Sequence, residues 1–363
     1  MYYQQLSIIR EKRLMSTKLD FRIDPKFPRD EGMHEAATDE WWYFNCHLKS
    51  NEGTSYSAAV CFFPTYLLLM FADITNKRMI HNKILVNQNF SASSNHLNVA
   101  FGKNRWVQDL QDLSRYEMHC ENQGFILNLQ MSNQKTPMLV DGRGQIKEGL
   151  LGRSYYYAQT RLMVQGEVEF SGNKIRVSGF GWIDRQWGEW VWSGIGSWIW
   201  FSIQLSNEVE MLIIQITNPL TNGISSRTFT VCGKGGEVKV LRDFHVVPTS
   251  RWQSPASKRS YESRWTISSE SPLVCHLRVL PDFDSQEVMY GLWEGACNVS
   301  GEFGGERVTG RAFVEQSHGR IYGSRKKKFI LLCVGLIQQC LRRMHFPKTD
   351  LVDKADKILH IMG

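Results

Sequence analysis

Helical periodicity is almost absent from the first 325 residues of this 363-residue chain, which argues against a helical or α/β architecture. Motifs for common chemistries are missing as well. No Gly-x-Ser-x-Gly turn presents a nucleophilic serine, so serine hydrolysis is not expected. No glycine-rich loop follows a strand and opens a helix, so neither is nucleotide binding. Without His-Glu-x-x-His or clustered carboxylates, a metal is not expected either. The formal charge of +7 comes with no nucleic-acid-binding motif, so a nucleic-acid partner is not expected. No cofactor is expected.

The eight cysteines lie far apart, without Cys-x-x-Cys or Cys/His spacing, and read as reduced small hydrophobes. The N-terminus lacks a continuous apolar core followed by a small-residue cleavage site, so it does not read as a secretory signal. Met15 is as good a start as Met1. A cytoplasmic location is the expectation.

What the chain has in quantity is aromatic residues: 12 Trp, 12 Tyr and 19 Phe. They fall in short strand-like runs, 42% of the chain being hydrophobic. Asp39 to Leu48 is predicted as a strand, Ser50 to Gly53 as a turn, and Tyr56 to Phe63 as the returning strand. Further strands are predicted at Leu67–Asp73, Phe125–Met131, Tyr155–Val164 and Val168–Val177, with polar loops at Asn87–Asn98 and Asn133–Gly149. The densest stretch is Val177 to Trp192. There, alternation places Trp182, Asp184 and Gln186 on one face and Ile183, Arg185 and Trp187 on the other. Gly179 and Gly181 leave room for a close neighbour.

The chain also repeats itself. Ser171-Gly172 leads to Val177-Ser178-Gly179 and, five residues on, Asp184; Ser300-Gly301 leads to Val308-Thr309-Gly310 and, five on, Glu315. Trp41 to Leu48 resembles Trp198 to Leu205. The predicted fold is therefore all-β: two tandem lipocalin-like antiparallel β-barrels with a short C-terminal helical tail. The expected boundaries are an extension at 1–19, β-domains at 20–192 and 193–325, and a basic, apolar tail at 326–363. Aromatics at alternating positions suit a barrel interior that holds an apolar ligand. In the tail, Arg325-Lys326-Lys327-Lys328 precedes an apolar run that is well short of the roughly 20 residues of a membrane span. It reads equally as a helix on an anionic membrane surface through 325–343 or as a helix docked on the barrel exterior.

Five motifs, taken together, give a resemblance. They are Glu40-Trp41-Trp42-Tyr43-Phe44, Ser154-Tyr155-Tyr156-Tyr157, Gly181-Trp182-Ile183-Asp184-Arg185-Gln186-Trp187-Gly188, Leu292-Trp293-Glu294-Gly295 and Val308-Thr309-Gly310 with Val314-Glu315. Over about residues 34 to 320 the chain resembles the AttH-like and carotenoid 1,2-hydratase superfamily of tandem lipocalin-like proteins. The resemblance implies the tandem fold. It also implies one of several chemistries, because the superfamily includes hydratases of acyclic carotenoid alkenes and Diels–Alder cyclases of polyketide pathways. The absence of a secretory signal and the basic tail depart from the bacterial members and favour an intracellular biosynthetic role.

Asp184 is the candidate general acid for protonating an alkene. Burial against Trp182 and Trp187 would raise its pKa, whereas a close Arg185 would lower it. Alternation points Arg185 away, so desolvation should win; the competing reading is a structural Asp–Arg pair. Trp41, Trp42, Tyr43, Trp182, Trp187, Trp198 and Trp200 could stabilise a cation by their π faces, at roughly 0.5–2 kcal/mol each, or simply fill two barrels. His34 and His47 are candidate bases for proton loss. Tyr155 to Tyr157 offer hydroxyls at a pocket rim. Gln186 joins the binding set, and Glu40 either hydrogen-bonds in the site or caps the first strand. The leading expectation is a cofactor-independent enzyme acting on a long apolar isoprenoid or polyene by acid-initiated cyclisation or hydration. The alternatives are a Diels–Alder cyclase, working by proximity and shape, and a non-catalytic carrier.

Overall fold

In the computed structural model, residues 25–150, 152–318, 332–337 and 339 are described. Most of them belong to two antiparallel half-barrel sheets. The first runs, edge to edge, Arg78–Val86, Tyr66–Asp73, Ser55–Phe62, Asp39–Ser50, Asn173–Trp190, Gly152–Phe170, Phe125–Asn133, Arg115–Asn122, Asn104–Gln108, Asn98–Phe101 and Phe90–Ala92. The second runs Val238–Leu241, Ile224–Cys232, Glu210–Thr217, Trp198–Leu205, Glu306–Ser317, Leu292–Phe303, Cys275–Pro281, Ser260–Ser269 and His245–Gln253. The sequence expectation of an all-β tandem lipocalin-like chain agrees with this architecture.

Burial explains why some strands alternate and others do not. In Phe125–Asn133 the apolar Phe125, Leu127, Leu129 and Met131 face the first core, and the residues between them are more open. In Tyr66–Asp73, by contrast, both faces are covered. Leu67, Leu69 and Phe71 enter the first core, whereas Leu68 and Met70 enter a separate apolar layer. Glu210–Thr217 does the same from the other side, with Met211 and Ile213 in the second core and Leu212, Ile214 and Ile216 in the shared layer. Continuous apolar runs thus mark strands sandwiched between a barrel core and the partner half. The interiors themselves are filled by side chains, including Trp42, Phe44 and Trp106 in one and Phe201, Trp265 and Trp293 in the other. The expected ligand-holding barrel interior is corrected accordingly: those aromatic positions are core.

The two halves repeat in register. Tyr43 lies opposite Asp184 and Leu48 opposite Gly179; Trp200 lies opposite Glu315 and Leu205 opposite Gly310. Both glycines admit the neighbouring backbone. A Cβ at Gly179 would stand 2.0 Å from the His47 carbonyl oxygen, and one at Gly310 2.4 Å from that of Gln204. One part of the sequence match fails. Ser171 and Gly172 form the turn between Gly152–Phe170 and Asn173–Trp190, with φ of 52° and 75°, so no strand spans Val168–Val177. Ser300 and Gly301 instead sit inside a strand, opposite Thr309 and Val308. The predicted polar loops also hold short strands, at Phe90–Ala92, Met138–Leu139 and Gln145–Lys147.

Residues 332–337 are helical, and Gly335 packs on the junction between the sheets: a Cβ there would lie 2.4 Å from Val191 and 2.6 Å from Ser193. The N-terminal extension, the start of the first predicted domain and the basic residues of the tail lie outside the described residues. Among the described residues no helix is long and apolar enough to cross a membrane. The seven described cysteines are free thiols, six of them buried.

Candidate active site

The apolar layer between the sheets carries a group of acids. Asp184, only 3% exposed, projects from the inner strand Asn173–Trp190. Its Oδ1 accepts from Trp182 Nε1 at 2.7 Å, and its Oδ2 accepts from the Tyr156 hydroxyl. Tyr156 in turn accepts from Trp200 Nε1, which comes from the other sheet, at 2.8 Å. Glu294, 1% exposed, accepts from the Tyr43 hydroxyl across the same seam. Asn45 bridges Tyr43 and Ser202, at 3.2 Å to each. Glu315, half-buried, lies directly opposite both Trp200 and Glu294 and accepts from Trp198 Nε1.

These carboxyls have neutral donors for partners, and that sets their proton affinity. Burial pushes Asp184 from 3.8 to about 7, against the pull of the Tyr156 and Trp182 hydrogen bonds, and Glu315 adds to the rise. Burial also raises Glu294 well above the ordinary carboxyl range, and repulsion from Glu315 adds to it; Glu315 is itself raised, mainly by burial. Arg185 does not contribute, because it sits on the opposite face of the strand, as alternation predicts.

Outward from Glu315 runs a half-exposed aromatic wall. Trp198 is 6.1 Å from Trp192 between ring centres, Trp192 is 6.5 Å from Trp41, and Trp41 is 5.5 Å from Phe63. Trp190 meets Trp41 edge-on at 5.4 Å. Tilted and edge-on aromatic rings thus line the seam outward from the acids, an apolar lining with few polar handles.

The structure divides the predicted site residues. Asp184, Trp182, Trp41, Tyr43, Trp198 and Trp200 come together on the seam. Gln186 shares that face one step along, where its amide donates to Glu148 and to Ser154 Oγ. Glu40, Trp42, Tyr155, Tyr157 and Trp187 do not join them, since odd and even positions on paired strands face opposite sides. Glu40 instead pairs with the fully buried Arg185 and with His34 Nδ1, at 2.7 Å from the latter. Burial works against the Glu40 charge, but Arg185 and His34 hold its carboxyl below the ordinary value. The Arg185 guanidinium lies 4.0 Å over the Trp42 ring and donates to Trp41 and Gly32 carbonyls, which closes one end of the first barrel. Trp187 stacks on His34 and Tyr155 in that region, so it does not desolvate Asp184.

His47 faces the seam, yet its Nδ1 accepts from the Arg311 guanidinium at 3.2–3.3 Å, and Arg311 also pairs with Asp282. Burial and the Arg311 charge depress its pKa well below 6.5, and the lone pair a base would need is in use. Tyr156 is one of the three hydroxyls expected from the sequence, whereas Glu294 and Glu315 are not among the expected site residues. Glu315 was already visible as the repeat partner of Asp184. Glu294 carries a weaker signal, an acid between Trp293 and Gly295 at the apolar start of its strand.

No cluster of three or more metal-binding side chains occurs among the described residues. Two half-barrel sheets that share an acid-bearing aromatic seam define a tandem lipocalin-like protein. The chain belongs to the AttH-like family, whose sequence profile matches residues 68–319. Its fold is similar to that of an AttH protein from Nitrosomonas europaea, with a TM-score of 0.72, 20% identity, and coverage of 83% of this chain and 98% of that one. It is also similar to kievitone hydratase from Nectria haematococca, with a TM-score of 0.69, 17% identity, and coverage of 84% and 95%. CghA in complex with Sch210972 aligns with a TM-score of 0.52, 12% identity, and coverage of 77% and 89%. No curated protein sequence matches the chain.

Proposed function

We propose that this chain is a cofactor-independent enzyme of the hydratase or cyclase type. In this reading Asp184 protonates an alkene of a long apolar isoprenoid or polyene. The observation that carries it is the state of Asp184. It is a carboxyl without a cationic partner, lifted by burial to about 7, so near neutral pH it both holds a proton and can release it. The Asp184 O–H bond breaks as a C–H bond forms, leaving a carbocation beside an aspartate. The π faces of Trp182, Trp200 and Tyr43 stabilise that cation. Water then adds to it, or a second double bond attacks it and closes a ring. Kievitone hydratase is by name a hydratase, which agrees with the first ending.

A second reading is favoured by the aromatic wall from Phe63 to Trp198, which needs no acid to hold a linear polyene in a folded shape. That site would template a cycloaddition by proximity. Purified protein incubated with polyprenyl and polyene compounds, wild type beside Asp184→Asn, separates the two. A product of unchanged mass, or one water heavier, that disappears in the variant supports proton-initiated chemistry. Equal product from both proteins moves the assignment to templated cyclisation. Bound but unaltered ligand in both leaves a carrier.

A further inference from the structure

The first half of the repeat supplies one acid to the seam; the second supplies two. Glu315 occupies the position of Asp184. Opposite Asp184 in the neighbouring strand stands Ala158, whereas opposite Glu315 stands Glu294. Directly opposed residues on antiparallel strands share a face, with Cβ atoms about 4.5–5.5 Å apart, and like charges there repel. The surroundings offer little relief. Tyr43 and Trp198 donate to the two carboxyls, but both are neutral. The titratable groups that face the pair are Tyr43 and Cys61 from neighbouring strands of the first sheet and Tyr156 and Asp184 from the two strands beyond. The cations along the seam are engaged elsewhere, Arg311 by Asp282 and His47, and Lys135 and Arg161 by Glu210. Two ionised carboxylates are not stable in such a place, so one keeps a proton. Depth decides which: Glu294 is the buried member, and Glu315, beside Trp198, is the half-buried one.

We propose that Glu294 and Glu315 form a dyad sharing one proton, and that its ionised member, Glu315, is the base that collects the proton released after Asp184 has given up its own. This inference rests on the acid reading of Asp184. In a hydration, the water oxygen forms a C–O bond to the cation while one of its O–H bonds breaks and the proton passes to Glu315. In a cyclisation or isomerisation, a C–H bond next to the cation breaks, its electron pair becomes the new double bond, and the proton again passes to Glu315. Exchange with solvent returns a proton to Asp184, and the cycle closes with no net proton consumed.

The dyad can be tested without a substrate. The infrared carbonyl band of protonated, water-excluded carboxyl groups is recorded for wild type, Glu294→Gln and Glu315→Gln. A mildly alkaline pH is used, so that Asp184 is mostly ionised. The expected result is a band that Glu294→Gln removes and that, as the pH is raised further, Glu315→Gln loses at lower pH than wild type, because the repulsion that helps to hold the Glu294 proton is gone. A band whose titration Glu315→Gln leaves unmoved, or that neither variant changes, overturns the dyad. With a turned-over substrate, Glu315→Gln should lower turnover and erase the acidic limb of the pH profile without weakening substrate binding, and Glu315→Asp should restore the limb. If Glu315→Gln turns over normally while Asp184→Asn is inactive, the base assignment fails and the acid reading survives. If Asp184→Asn turns over normally, the acid reading fails, and the infrared result still decides whether the dyad exists.

Discussion

Replacing Asp184 by Asn should change how stability depends on pH, and the size of the change follows from the environment of the side chain. Folding lifts the carboxyl from 3.8 to about 7, so between those values the folded chain binds a proton that the unfolded chain has lost. A group of this kind makes stability fall as pH rises, until the folded carboxyl too has ionised. Each unit within that window is worth about 1.4 kcal/mol. From about pH 5 to pH 8 the wild type should therefore lose about 3 kcal/mol that a non-titrating residue at this position would keep. Asparagine carries its own penalty, because it offers one acceptor where Trp182 and Tyr156 now use two; that cost is about 1–3 kcal/mol and independent of pH. The two proteins should be of similar stability near pH 5, and the variant the more stable near pH 8. Urea unfolding followed by tryptophan fluorescence at both pH values measures the difference in midpoints. A difference that does not move with pH, or that moves against the variant as pH rises, would refute the assignment of a buried, protonatable Asp184.

Three further outcomes are expected. Tyr156→Phe strips Asp184 of one donor and leaves the buried Trp200 Nε1 without its acceptor, so stability should fall by about 1–3 kcal/mol. The same change should move the Asp184 titration to higher pH, read as a shift in the stability–pH curve. Arg185→Ala leaves Glu40 buried with only His34 beside it, and thermal melting should report a loss of about 3–5 kcal/mol, carried by the first domain. His47→Gln should keep wild-type product formation, since the imidazole serves as an acceptor for Arg311 and glutamine can take that place; loss of turnover there would reinstate His47 as a base.

Strand pairing and the repeat were legible because both rest on local signals. Alternation separated Asp184 from Arg185 correctly, and Gly179 and Gly310 marked matching close approaches of backbone. Alternation did not by itself reveal what each face meets. Trp187 stands three residues from Asp184, hence on the other side, yet its bulk suggested a shared pocket. Glu40 looked free to serve the site until Arg185 and His34, brought together by the closure of the barrel end, claimed it. The site itself lies where two half-barrels meet, and no spacing within one segment encodes that meeting. Tyr43 and Glu294, 251 residues apart in sequence, share a hydrogen bond only because the halves dock. The repeat was the one sequence feature that reached across that distance. Following it from Asp184 to Glu315, and from Glu315 to its neighbour across the strand pair, would have found all three acids.

The most direct test of proton-initiated chemistry at Asp184 is turnover in heavy water. Purified wild-type protein is supplied with a long-chain polyprenyl or polyene compound that it converts, and the product is examined by mass spectrometry for deuterium bound to carbon. Proton transfer from Asp184 predicts one deuterium on the former alkene carbon, and no product from Asp184→Asn. Product free of carbon-bound deuterium, formed equally by both proteins, would contradict it and leave the aromatic seam as a template alone.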